Sequence, residues 1–164
     1  KSQISSMLND RSSVPLTIYH FHNDEANTRV VFYVSSRTEA FELRTISRRF
    51  TFANRSASIY VQRVSEPSFV LSGELLDVLK RWITSRFSPE TGILSLAGVS
   101  RNDALKSEGI FLNLSRTSCL GLVVNVCEEL FPNATILDLR ENHINALDPL
   151  RQRLGNITRL NLES

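Results

Sequence analysis

The sequence is short of the residues that build disulfide-stapled folds and flexible arrays. Its 164 residues include two cysteines, six glycines and five prolines. A small secreted scaffold held by several disulfides is therefore excluded. Cys119 and Cys127 lie eight residues apart in one apolar stretch. On a helix that spacing is about 12 Å along the axis, beyond disulfide reach, so two buried, reduced thiols of an intracellular chain are expected. No apolar run is long enough to span a bilayer. Lys1-Ser2-Gln3-Ile4 lacks the charged-then-apolar order of a signal peptide.

Signatures of catalysis are missing as well. There is no G-x-x-x-x-G-K-[ST], no G-x-S-x-G and no H-E-x-x-H. His20 and His22 are two apart on an expected strand and so share a face, which is half a metal site. No third ligand has a suitable spacing, and an exposed or RNA-facing pair is the expectation. Cys119 has no evident base and reads as core. Glu128-Glu129 reads as a solvated helix end, and His143 as surface. A non-enzymatic chain follows, with no cofactor, metal, membrane or small-molecule substrate.

What is present is a chain with 41% hydrophobic residues, enough for a packed core. The net charge of +2 is unevenly spread: residues 1–65 carry nine Lys/Arg against five Asp/Glu, and residues 66–164 carry ten against twelve. Eight of the nine basic residues in the first part are arginine. Arginine pairs bidentately with phosphate and stacks on bases, so a basic first part suits a polyanion. A solvated surface is the plainer reading of the same charges. Four Asn-x-Ser/Thr triplets, at Asn54, Asn113, Asn133 and Asn156, point to a different class, a glycosylated secreted repeat protein. That class usually has cysteine-stapled caps, and none is visible.

Residues 1–64 read as alternating helix and strand. Ile4, Met7 and Leu8 fall at helical spacing, and Asn9-Asp10 ends the run. Pro15 opens a strand, Leu16 to His22. Residues 23–27 form a turn, and Arg29 to Val34 form a second strand, giving a hairpin. Ser35-Ser36 caps a helix whose Ala40, Leu43 and Ile46 share one face. Residues 53–55 are a loop, and Ser58 to Val64 a third strand. The order helix, strand, strand, helix, strand is a split βαβ sandwich of the RRM-like kind with its first strand missing. The natural chain is expected to supply that strand upstream of Lys1, between the second and last strands read here.

Residues 65–71 read as a linker, and 72–164 as a second domain. A helix over Glu74 to Arg86 places Leu75, Leu79, Trp82 and Ile83 on one side. Leu-x-Leu pairs then recur at Leu94/Leu96, Leu112/Leu114, Leu137/Leu139 and Leu160/Leu162. The last interval, 23 residues, falls within the range of about 20–29 for leucine-rich repeats. The run from Leu137 to Ile144 fits the L-x-L-x-x-N-x-L core of such a repeat. Its Asn142 is expected to bond backbone groups where the chain leaves the strand. The expectation is a partial leucine-rich-repeat solenoid, comprising an N-terminal cap and first repeats, with further repeats downstream. The fold class as a whole is α+β or α/β.

An RRM-like domain followed at once by leucine-rich repeats resembles the TAP-type family of nuclear RNA export factors. Several stretches are similar to that family's: Ser12-Ser13-Val14-Pro15, Asn27-Thr28-Arg29 with Val30 to Val34, and Arg86-Phe87 with Leu94-Ser95-Leu96. Arg116 to Cys119, Phe131-Pro132 and Leu137-x-Leu139 resemble its first full repeats. The turn at 23–27 is longer than the family's, a departure that suits a diverged paralogue. The resemblance implies a nuclear protein that shuttles to the cytoplasm and binds RNA cargo, single-stranded or structured, together with export adaptor proteins. Contacts with the nuclear pore and with a transport-factor-like partner would belong to domains outside this chain. The alternative is a protein-interaction scaffold of a diverged paralogue in another nuclear RNA pathway, such as co-transcriptional silencing.

The residues that would do the binding follow from alternation and charge. In the second strand, Val30, Phe32 and Val34 are expected to face the helices, and Arg29, Val31 and Tyr33 the open side. An ordinary RRM stacks bases on strand aromatics; here Arg29 and Val31 occupy those sites, so Tyr33 and Tyr60 are the remaining stacking candidates. By the resemblance, binding would be dominated by the RNA backbone and largely indifferent to sequence. Arg29, Arg48, Arg49, Arg55 and Arg63 are the candidates for it. In the repeats, Ile136, Asp138, Arg140, Arg159, Asn161 and Glu163 would line the concave face and meet protein or structured RNA.

Overall fold

The computed structural model describes residues 2–24, 29–47, 50–52, 55–64, 71, 73–151 and 155–163. The chain packs as two units, Lys1–Pro67 and Ser68–Ser164, each with its own apolar core, and together they make a mixed α and β architecture.

In the first unit, helix α1 (Ser2–Arg11) supplies the fully buried Leu8, with Ile4 and Met7 beside it. Strands β1 (Tyr19–Asn23) and β2 (Val30–Tyr33) form an antiparallel hairpin. The expected strand from Leu16 is shorter than the sequence suggests. Leu16 and Ile18 are buried but lie ahead of the ladder, because the Leu16 amide donates to the Asn9 side chain and the Thr17 amide to Glu39. Tyr19 pairs with Tyr33 and His22 with Val31, so β1 carries one extra residue between two rungs. That residue count is a β-bulge, and His20 within it has φ of 51°. The bulge resets the alternation that would have put His20 and His22 on one exposed face. His20 is 3% exposed, so the expected exposed pair does not form. Val30, expected to face the helices, is exposed at the strand's end.

Helix α2 (Arg37–Ser47) packs Leu43 and Ile46 into this core. It starts with a capping box: the Glu39 amide donates to the Ser36 hydroxyl oxygen, and the Ser36 amide donates to the Glu39 carboxylate. A two-rung hairpin follows, β3 (Thr51–Phe52) with β4 (Arg55–Ser56). Residues 57–64, expected as a last strand whose neighbour is the missing first one, form no ladder. The segment nevertheless alternates: Ala57, Ile59 and Val61 pack on the core, while Ser58, Tyr60 and Gln62 are exposed. Its backbone is held by helix side chains instead. Ser47 Oγ donates to the Ile59 carbonyl and accepts from the Ile59 amide, and Arg44 donates to the Val61 carbonyl.

The second unit opens with α3 (Gly73–Thr84), which buries Leu75, Leu79 and Ile83. Trp82 is half-buried on the same core, under the Arg86 guanidinium at 5.2 Å. Strand β5 (Phe87–Ser88) runs antiparallel to β6 (Ile93–Ser95), and β6, β7 (Ile136–Asp138) and β8 (Arg159–Asn161) are parallel. Leu94, Leu137 and Leu160 stand in one register column. The ladder runs on past the strands: the Leu96 amide donates to the Asp138 carbonyl, Leu139 to Asn161 and Glu141 to Glu163. Between β6 and β7 lie α4 (Asp103–Ser107), capped by Asn102, and α5 (Thr117–Leu130). The pair Leu112/Leu114, read as a rung, is fully buried but forms no strand. Asn113 turns the chain there, accepting from the Ser115 amide and hydroxyl. The ladder therefore passes directly from Leu94 to Leu137.

Candidate functional site

Strand β7 and the turn after it organise the second unit's candidate face. Leu137 and Leu139 point into the core and are fully buried, which sends Ile136, Asp138 and Arg140 to the other side of the sheet. The register places Ile136 beside Arg159 and Asp138 beside Asn161. Ile93 and Ser95 stand beside Ile136 and Asp138 on the opposite flank. Those two went unassigned in the sequence, although they are the outward positions of a recognised Leu-x-Leu pair.

The turn is pinned by Asn142, which is buried. Its amide nitrogen lies 2.7 Å from the Leu96 carbonyl, 2.9 Å from Leu139 and 3.1 Å from Arg140, and its oxygen accepts from the Val99 amide at 2.9 Å. One side chain thus satisfies backbone groups of two successive strands, a task that needs both a donor and an acceptor. Glu141 and His143 on either side have φ of 60° and 50°, the left-handed region non-glycine residues rarely enter. His143 is exposed, as expected.

Asp138 departs from the expected open position. It is 5% exposed, and its carboxylate is consumed by Arg140, whose Nε and Nη2 donate to the two oxygens at 2.9 and 2.8 Å. The Arg140 guanidinium holds the Asp138 carboxyl below its usual range against the opposing effect of burial. The same bond, aided by Glu163, holds Arg140 protonated beyond its ordinary range. The Nε–Nη2 edge of Arg140 and the Asp138 carboxylate are thus spent on each other, and the face presents an internally neutralised pair rather than a free carboxylate. Arg140, Arg159 and Glu163 are exposed, and Ile136 and Asn161 half-buried.

In the first unit, Arg29 precedes β2 and is exposed; its amide donates to Asp24 at 3.0 Å. Tyr33 is half-buried, with its ring at a steep angle to that of His20 and 6.0 Å between centroids. Tyr60 is 91% exposed, and Arg63 on the same segment is exposed too. Arg48, Arg49 and the side chain of Arg55 lie outside the described residues, as do most of the 23–27 turn and of the 65–71 linker. Helix α2 also turns Phe41 and Arg44 to solvent, residues to which the sequence reading gave no role.

No protein-family model matches the chain. The chain is similar to nuclear RNA export factor 1 of Caenorhabditis elegans. The two are 23% identical over 127 residues, covering 76% of this chain and 20% of the relative. The match is longer than either unit alone, 67 or 97 residues, and so spans both. The chain accounts for about one fifth of that relative's length.

The described residues contain no group of three or more His, Cys, Asp or Glu placed to hold a metal ion. Both cysteine thiols are buried in α5 and pushed up to about 12 by that burial, which leaves them protonated and poor nucleophiles at neutral pH. No described helix is long and apolar enough to cross a membrane.

Proposed function

We propose that this chain is the RNA-cargo and adaptor-binding part of a nuclear RNA export factor. In this reading the first unit is an RRM-like domain and the second the cap and first turns of a leucine-rich-repeat solenoid. The single observation that carries the proposal is a similarity to nuclear RNA export factor 1 that spans both units. The in-register leucine column and the Asn142 bonds support the repeat reading of the second unit. Nuclear residence with passage to the cytoplasm follows from the same proposal.

RNA is held through the exposed Arg29 and Arg63, joined by Arg48, Arg49 and Arg55, with Tyr60 as the accessible stacking aromatic. Contacts of this kind grip phosphates and carry little sequence information. The sheet face of the second unit, with Arg140, Arg159, Asn161 and Glu163 around Ile136, holds structured RNA or an adaptor protein. The Asp138–Arg140 pair favours a protein there, because half of the expected mixed charge is already neutralised internally. That observation also gives weight to a second reading, a protein-interaction scaffold in another nuclear RNA pathway.

Fluorescence anisotropy with RNAs of unrelated sequence separates the two. The export-factor reading expects comparable affinity for each RNA, and a loss of about tenfold or more in an Arg29→Glu, Arg63→Glu variant. No RNA binding at low salt would leave the scaffold reading alone.

A further inference from the structure

Helix α2 buries Leu43 and Ile46 and turns a second stripe to solvent. Arg37, Phe41 and Arg44 follow at i, i+4 and i+7, one side of a helix. Thr38 and Thr45 flank them, and all five are exposed. Phe41 is 69% exposed. A single apolar side chain in water is ordinary; its electrostatic setting is not.

The helix has two acidic residues, and the fold withdraws both from this stripe. The Glu39 carboxylate accepts from the Thr17 amide and from Ser36. Glu42 accepts from the Ser13 amide at 2.8 Å. The Thr45 hydroxyl is spent on the Phe41 carbonyl at 3.3 Å. Arg44 is tethered by its bond to the Val61 carbonyl, a neutral acceptor, and no ion pair to its guanidinium is found among the described residues. What remains is an aromatic centre with a cation at either end and no acid between them.

Aromatic residues and arginine are the side chains enriched in protein interfaces and their energetic centres. RNA is a weaker fit, because two guanidinium groups neutralise about two phosphates, a small salt-sensitive contribution. The larger part of what the stripe offers is apolar area on Phe41, which an apolar side chain covers best.

We infer that the Arg37–Phe41–Arg44 stripe docks an acidic protein segment, which lays an apolar side chain on Phe41 and a carboxylate on each arginine. Seven helical residues set those carboxylates about 10 Å apart, the spacing of an amphipathic helix with acids at i and i+7. The inference deepens the adaptor-binding half of the proposed function and rests on it.

The test uses the whole chain and two synthetic helical peptides, one with Glu at i and i+7 around a leucine, the other with serine in place of the leucine. Binding is followed by backbone amide NMR shifts, and RNA anisotropy is measured on the same samples. The leucine peptide is expected to shift residues 37–47 and to bind about tenfold more weakly to Phe41→Ala and to Arg37→Glu, while RNA affinity of the Phe41→Ala variant stays unchanged. The serine peptide is expected to bind at least about tenfold more weakly than the leucine peptide. Leucine-peptide binding that ignores both substitutions, or shifts confined to other residues, overturns the inference and leaves RNA binding by Arg29 and Arg63 untouched. Loss of RNA affinity in Phe41→Ala without peptide binding also overturns it, and makes the stripe an RNA contact.

Discussion

At the scale of single residues, Asn142 does the most for the fold. It fills hydrogen-bonding needs of Leu96, Val99, Leu139 and Arg140 from a buried position. Truncation removes the side-chain partner of the Val99 amide and of the Leu96 and Leu139 carbonyls, each costing about 1–3 kcal/mol when left buried and unpaired, whereas the Arg140 carbonyl keeps its bond from the Gly98 amide. Asn142→Ala should therefore lower unfolding stability by roughly 3 kcal/mol, read as a shifted denaturant midpoint at constant slope. Asn142→Asp should also be destabilising, because the carboxylate keeps the acceptor for Val99 but loses the donors. Gly92 is a second such position: with φ of 65°, a Cβ there would lie 2.6 Å from Thr135 Oγ1. Gly92→Ala should cost about 1–3 kcal/mol through this clash and the left-handed backbone, measured by the same unfolding experiment. Asn142 was legible in the sequence from its place in the repeat pattern. The Asp138–Arg140 pair was not, because alternation says which way side chains point but not which of two outward neighbours will bond the other.

At the scale of elements, the N-terminus of α2 depends on a carboxylate. Burial works against ionisation of Glu39, but bonds from Thr17, Ser36 and Ser35 outweigh it and hold its pKa below the ordinary value. A depressed folded-state pKa adds stability above the unfolded value, near 4.5, and that stability is lost as pH falls through the folded value. Glu39→Gln should thus be less stable than the native chain at pH 7, and the difference should shrink below about pH 4, followed by thermal unfolding across that range. The helix cap was readable from Ser35-Ser36, but the part of Glu39 was not: its bond from the Thr17 amide required the tertiary packing of the 12–17 segment. The segment over 57–64 teaches the same point. Its alternation is real and Ile59 and Val61 are inward, yet a strand is defined by a neighbour, and here Ser47 and Arg44 side chains make the backbone bonds instead. The bulge at His20 had no sequence signal, since no glycine marks it, and it overturned the face assignment of the two histidines.

At the scale of the whole molecule, the two-unit division was legible from the change of pattern, helix and strand alternation giving way to Leu-x-Leu spacing. The parallel ladder confirms the register of Leu94, Leu137 and Leu160 and drops Leu112/Leu114 from it. The charge asymmetry gives the functional proposal its direction, because an arginine-rich first unit suits a phosphate backbone. Competing RNAs and adaptor segments would then meet different surfaces of one chain, the arginines of the first unit and the sheet face or α2 stripe.

The most direct test of that claim is the salt dependence of RNA affinity for the native chain and for Arg29→Glu, Arg63→Glu. Each lost phosphate contact on single strands removes about 0.7 from the slope of log K against log salt. The native chain should bind with a steep slope, and the variant with one shallower by about 1–2 and with weaker affinity for every RNA tried. Equal slopes and affinities for both proteins would contradict the account, because Arg29 and Arg63, the exposed arginines it assigns to RNA, would then make no phosphate contact.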